Sequence, residues 1–192
     1  MTKKQLNHQG WTILEMMLAG SVFMIVSGGV VTFLNQQSDF WEYSTTQTDV
    51  RADVERALQN MSMELRLARR VTPGAAPNIT IPASPNNTAV TFYVPTDVDG
   101  LTGVLNSLGD VEWNEANPIQ FTYDAASRQL RRIEGGATRI LGTDITAATF
   151  RDITMDNTLL SNEVRINVTM QRTTPHQRIV TASGATVVKL RN

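Results

Sequence analysis

Cysteine is absent from the 192-residue chain. That excludes a disulfide framework, thiol catalysis and every Cys-based zinc site. Histidine is almost as scarce. His8 and His176 are the only two, and their separation predicts no His-rich metal centre. Net charge is also small, at −1, which argues against a bulk nucleic-acid binder. The phosphate-binding patterns G-x-x-x-x-G-K-[ST] and G-x-G-x-x-G do not occur, nor does the nucleophile elbow G-x-S-x-G or the zinc motif H-E-x-x-H. Together these absences predict a protein that is not an enzyme and carries neither cofactor nor metal.

Charge is nevertheless unevenly spread. Residues 71–127 hold six acids and no base, whereas residues 128–192 hold ten bases and five acids, a net of +5. Two arrangements follow: strands that mix the halves within one domain, or a dipolar surface that docks subunits head to tail.

The strongest positive signal lies near the N-terminus. Trp11–Leu34 is a 24-residue apolar run with one charge, Glu15. As a helix it spans about 36 Å, enough for a hydrocarbon core of about 30 Å. Lys3 and Lys4 precede it, and Asp39, Glu42 and Asp49 come before the next base, Arg51. The positive-inside rule then predicts a single-pass protein with residues 1–10 in the cytoplasm and the bulk outside. A secretory signal core is shorter, about 7–15 residues, and ends at a small-residue site; Thr32–Gln37 offers none.

Glu15 is the anomaly, because a charge in a membrane segment costs on the order of 2.5–3.5 kcal/mol. One resolution is a helix end that stays wet among the headgroups. Another is chemical: cleavage after Gly10 would give Trp11 a free ammonium, four residues from Glu15 on the same helical face. That terminus and the helix dipole both favour the carboxylate. Gly20/Ser27 and Ser21/Gly28 are spaced seven apart, so these small residues share a face where helices can approach closely.

Gly10-Trp11-Thr12-Ile13-Leu14-Glu15, after a basic leader and before an apolar stretch, resembles the class III signal of type IV prepilins and type II secretion pseudopilins. The resemblance implies cleavage between Gly10 and Trp11 by a prepilin peptidase and N-methylation of Trp11. It implies that Glu15 pairs with a neighbouring subunit's N-terminus during assembly. The chain departs from many major pilins in having Thr32 where they have proline and in lacking a C-terminal cysteine pair. Weaker likenesses in Asp49–Arg70, Val90–Asp99, Trp113, Ile119–Leu130 and Val188–Asn192 are to minor subunits of the PilW and GspJ type. The implied partners are other minor and major pilins or pseudopilins, the peptidase and an inner-membrane assembly platform. The implied role is to help initiate or cap a type IV pilus or type II secretion pseudopilus, with the C-terminal domain periplasmic or at the cell surface. The alternative is a membrane-anchored exported binding or adhesion module that joins no filament.

Beyond the membrane run, Val50, Val54, Ala57, Leu58, Met61, Leu65 and Ala68 form an amphipathic stripe. They predict a helical continuation over 35–71, closed by Pro73-Gly74. Residues 72–192 read as a β-rich globular domain. Strands are predicted at Thr88–Val94, Ile119–Tyr123, Arg128–Ile133, Ala137–Leu141, Ala147–Ile153, Glu163–Arg172 and Arg178–Leu190, the last interrupted by a bulge at Ser183-Gly184. The expected fold class is α+β: a long N-terminal helix packed on an antiparallel β-sheet, pilin-like. Asp97-Val98-Asp99-Gly100 is similar to the start of a Ca²⁺ loop, but Leu101 and Leu108 fall at positions 5 and 12, where such a loop needs oxygen ligands. It is read as a turn, with a Ca²⁺ site of another kind, drawn from Asp97, Asp99 and Asp110, as the alternative.

Overall fold

The structure is a computed structural model and describes residues 12–68, 79–97, 100, 103–105 and 111–191. The chain divides into two compact units after Ser44.

Helix α1 runs from Ile13 to Leu65. No proline precedes Pro73, so nothing removes a backbone donor along it. Thr12 starts it, its carbonyl accepting the first helical bond from Met16 N–H at 3.2 Å. After Leu65 the chain tightens into a turn, with Ala68 N–H bonded to the Leu65 carbonyl at 3.0 Å. The Ala68 carbonyl then accepts Arg191 N–H at 3.0 Å. Residues 66–68 therefore leave the regular helix; the rest of the expected extension, with Pro73-Gly74, lies outside the described residues.

Seven strands follow: β1 Ala89–Phe92, β2 Ile119–Asp124, β3 Gln129–Glu134, β4 Ala137–Gly142, β5 Ile145–Arg151, β6 Glu163–Thr173 and β7 Ile179–Lys189. All neighbours are antiparallel, so the class is α+β. The single expected sheet is instead two, ordered β1-β2-β3-β4 and β5-β6-β7. They meet at a seam of separate hydrogen bonds. Phe150 N–H donates to the Asn87 carbonyl (2.8 Å) and the Asn87 side-chain amide donates to the Phe150 carbonyl (3.1 Å). Ile145 N–H donates to the Arg128 carbonyl at 3.0 Å, and the Tyr123 hydroxyl to the Thr146 carbonyl at 3.0 Å.

Turn chemistry sets the registers. Gly135 and Gly136 join β3 to β4 with φ of 54° and 83°. Two successive positive angles in a two-residue loop match the right-handed twist of the strands, and glycine adopts them without a Cβ clash. Between β2 and β3, Asp124 accepts the N–H groups of Ala126 and Ser127, a local turn that frees no donor into the core.

The core of the second unit is built from alternate strand positions and the helical stripe. Val164, Ile166, Val168 and Met170 on β6 are buried, as expected from their alternation. Phe92 and Phe121 from β1 and β2 pack as a tilted pair with centroids 5.1 Å apart. Val50, Val54, Ala57, Leu58, Met61 and Leu65 of α1 are buried with them. Both sheets also hold this part of the helix by charge: Glu64 takes Arg132 of β3 at 2.6 Å, and Asp53 takes Arg172 of β6 at 3.1 Å.

Gly184 corrects the expected bulge. The β6–β7 register runs unbroken through Val168↔Gly184 and Thr169↔Ser183. A Cβ on Gly184 would lie 2.8 Å from Leu58 Cδ1 and 2.8 Å from Val54 Cγ1. The glycine is there so that α1 can approach β7 closely.

The charge asymmetry is absorbed in part within the unit. Arg131 pairs with Asp124 at 2.8 Å, and Arg132 with Glu134 at 2.7 Å as well as with Glu64. Arg165 pairs with Asp156. Burial disfavours the Arg132 charge, but bonds to Glu64 and Glu134 outweigh that and raise its pKa. Asp124 is held below the usual carboxylate range by the Ser127 hydroxyl, then the Ala126 and Ser127 N–H groups and Arg131, against some desolvation. Asp156 is lowered by the Thr158 hydroxyl and N–H, with Arg165 adding.

A folded-state carboxyl below its unfolded value of about 3.9 stabilises the native state above that pH, and the effect is lost as pH falls through the lowered value. Thermal midpoints should therefore hold down to about pH 4 and drop below it. In an Asp124→Asn/Asp156→Asn double variant that acid drop should be shallower; an identical profile would contradict the assignment.

Candidate functional site: the start of α1

The described chain opens on a reciprocal cap. Thr12 N–H donates to Glu15 Oε2 at 2.8 Å, and the Thr12 hydroxyl to the same oxygen at 3.1 Å. Glu15 N–H donates back to Thr12 Oγ1 at 3.2 Å. This is a capping box, Thr at the N-cap and Glu at the third helical position. It satisfies two orphan N–H donors of the first turn and places a carboxylate at the positive end of the helix dipole. The sequence reading of Glu15 passed over this partner. Its signal was present: S/T-x-x-E directly before an apolar run is an N-terminus signature.

Gly10 and Trp11 lie outside the described residues. Behind Glu15 the helix is apolar and uncovered. Ile13, Leu14, Met17, Phe23, Met24 and Ile25 are each more than two-thirds exposed. One helix near the N-terminus is thus long and apolar enough to cross a membrane. Its first 22 residues, Ile13–Leu34, reach about 33 Å at 1.5 Å per residue. Polar side chains inside this stretch bond to their own helix: Ser21 Oγ to the Leu18 carbonyl at 2.8 Å, Thr32 Oγ1 to the Gly28 carbonyl at 2.9 Å. Bonded in this way, these two hydroxyls do not face hydrocarbon unsatisfied.

Gly20, Ser21 and Gly28 are exposed and Ser27 is half-exposed. A Cβ on Gly20, Gly28 or Gly29 would meet nothing within 4 Å. Nothing inside this chain requires glycine there.

Asp97 Oδ1 accepts Gly100 N–H at 2.5 Å, the expected turn; Asp99 and Asp110 lie outside the described residues. No group of three or more His, Asp or Glu that could hold a metal occurs among the described residues. His176 is exposed in the β6–β7 turn. Arg128 is tied to the Gln171 carbonyl at 2.7 Å.

No protein-family model, characterised protein or solved structure matches the chain.

Proposed function

We propose that this chain is a membrane-anchored, pilin-like subunit that acts by assembly. Residues 1–10 form a cytoplasmic leader, removed between Gly10 and Trp11 by a prepilin peptidase, and the new Trp11 terminus is N-methylated. The second unit stands on the periplasmic side. Alongside other minor and major subunits, and through an inner-membrane platform, the protein helps initiate or cap a type IV pilus or type II secretion pseudopilus. Gly20, Ser21, Ser27 and Gly28 give the face on which membrane helices pack.

The observation that carries this reading is Glu15. It is the one charge in an apolar helix otherwise free of charge from Ile13 to Leu34, and it stands at the end nearest the leader junction. Both capping contacts from Thr12 go to Oε2, and a carboxylate has lone pairs for further donors. A neighbour's ammonium is a donor of the right charge.

The capping box also favours a second reading. If capping is all that Glu15 does, the protein is an anchored export module and no other subunit is needed. Glu15→Gln separates the two, because glutamine completes a capping box but carries no charge.

Mass spectrometry of the native protein should find Trp11 at the mature terminus; a chain retaining residues 1–10 would overturn the subunit reading. Glu15→Gln should be processed normally yet enter filaments at least about tenfold less, as expected for one lost charge-assisted contact. Undiminished incorporation would leave Glu15 as a cap alone.

A further inference from the structure

We propose that the outward face of the β1-β2-β3-β4 sheet binds a neutral saccharide where the Gly135-Gly136 turn meets Asn117. This concerns the unit from Thr45 onward and does not depend on the leader or on Glu15.

Strand alternation gives the sheet two faces. Val90, Phe92, Phe121 and Leu130 are buried in the core. Thr91, Gln120 and Ile133 point the other way and are half-buried. They stand side by side on three neighbouring strands, in the registers Thr91↔Gln120 and Gln120↔Ile133. This row borders a cavity of about 410 Å³, which Asn117 and the Gly135-Gly136 turn also line. Small-molecule sites usually hold about 300–1,000 Å³. The row crosses two strand spacings, about 10 Å, at right angles to the strands. That shape suits a compact ligand better than an extended peptide laid along one strand.

The lining selects the ligand's chemistry. No described residue bordering the cavity is charged. Glu134 follows Ile133, but alternation turns it to the opposite face, where it takes Arg132 at 2.7 Å. An ionic ligand would lose water here and gain no counter-charge. The polar side chains are two carboxamides and a hydroxyl, each able both to donate and to accept. Hydroxyl groups have the same double character, and a sugar presents several of them without charge. Among the described residues the Thr91 and Gln120 side chains make no hydrogen bond, so both are free for a ligand. Ile133 and Pro118 add apolar surface, against which the C–H face of a sugar ring can lose water.

Asn117 is held in place beforehand. Its backbone N–H donates to Asn114 Oδ1 at 3.1 Å. Its own Oδ1 sits against Gly135, where an added Cβ would lie 3.2 Å away. The glycine that makes the turn thus also leaves room for the carboxamide, and a group fixed before binding costs less to order.

The test uses the full chain in phospholipid nanodiscs, with maltose, cellobiose and N,N′-diacetylchitobiose as probes and empty nanodiscs as the blank. Saturation-transfer NMR should show saturable binding of at least one probe, with Kd on the order of 1 mM. Hydrogen exchange should slow within 116–120 and 133–136 on binding. Thr91→Val/Gln120→Leu keeps the size of both side chains and removes their polar ends. It should weaken binding at least about tenfold, as expected for two lost hydrogen bonds, with a melting temperature near wild type. Asn117→Ala, at an exposed position, should weaken it as well. The uncharged peptide N-acetyl-Thr-Ala-Thr-amide should not bind. No saturable binding of any of the three sugars, protection elsewhere, or equal binding by the double variant would each overturn the proposal. So would binding of the peptide alone, since the cavity would then belong to a polypeptide partner.

Discussion

Phe121→Ala is expected to be the most damaging single truncation in the second unit. The ring is fully buried on β2, and its loss should cost about 3–5 kcal/mol through lost transfer energy and an uncollapsed cavity. Part of that loss is the tilted contact with Phe92, since such pairs add about 0.5–1.5 kcal/mol beyond area. A domain stable by about 5–15 kcal/mol would be left marginal. Urea denaturation of the detergent-solubilised protein should show the midpoint falling with little change in slope. The helical signal from residues 13–44 should persist, because they belong to the other compact unit. A midpoint within experimental error of wild type would mean that Phe121 is not a core residue.

Gly184→Val is the second large effect, and its sign is informative. Valine is among the best strand formers, so by local preference the change should help an eleven-residue strand. The helix decides otherwise. The added Cβ meets Leu58 Cδ1 and Val54 Cγ1 at 2.8 Å. Leu58 can swing a terminal methyl aside, but Val54 is branched at Cβ and stiff, so the backbone of α1 must move. Overpacking of this kind costs about 1–3 kcal/mol. Gly184→Ala should show a smaller loss in the same direction. Combined with Val54→Ala it should cost less than the sum of the two single changes, the coupling expected of residues in contact. A stabilised Gly184→Val would show that α1 does not rest on β7.

These two positions show where sequence reading reaches and where it stops. The Phe121 strand and the Gly135-Gly136 hairpin are written locally: alternation and paired glycines each carry their own geometry. The stripe from Val50 to Leu65 is likewise local, because 3.6-residue periodicity marks its buried face. Gly184 is different. From sequence it suggested a bulge, since the helix that demands it lies far away along the chain. The division into two sheets was illegible for the same reason. It depends on single bonds such as Asn87 to Phe150, and no periodic pattern announces them. At the candidate site, Glu15 stood out because a charge in an apolar run is conspicuous. Its partner Thr12 did not, although the capping spacing was in view.

The order of elements along α1 and β7 has a consequence for biosynthesis. The helical stripe that rests on the last strand is made first and covered last. Some 120 residues separate Leu65 from Val188, a delay of about 6–25 s at 5–20 residues per second. Throughout that interval a nascent chain exposes a greasy ridge beside its apolar start. Whatever escorts the emerging polypeptide must shield the ridge until the ribosome has finished the terminal strand.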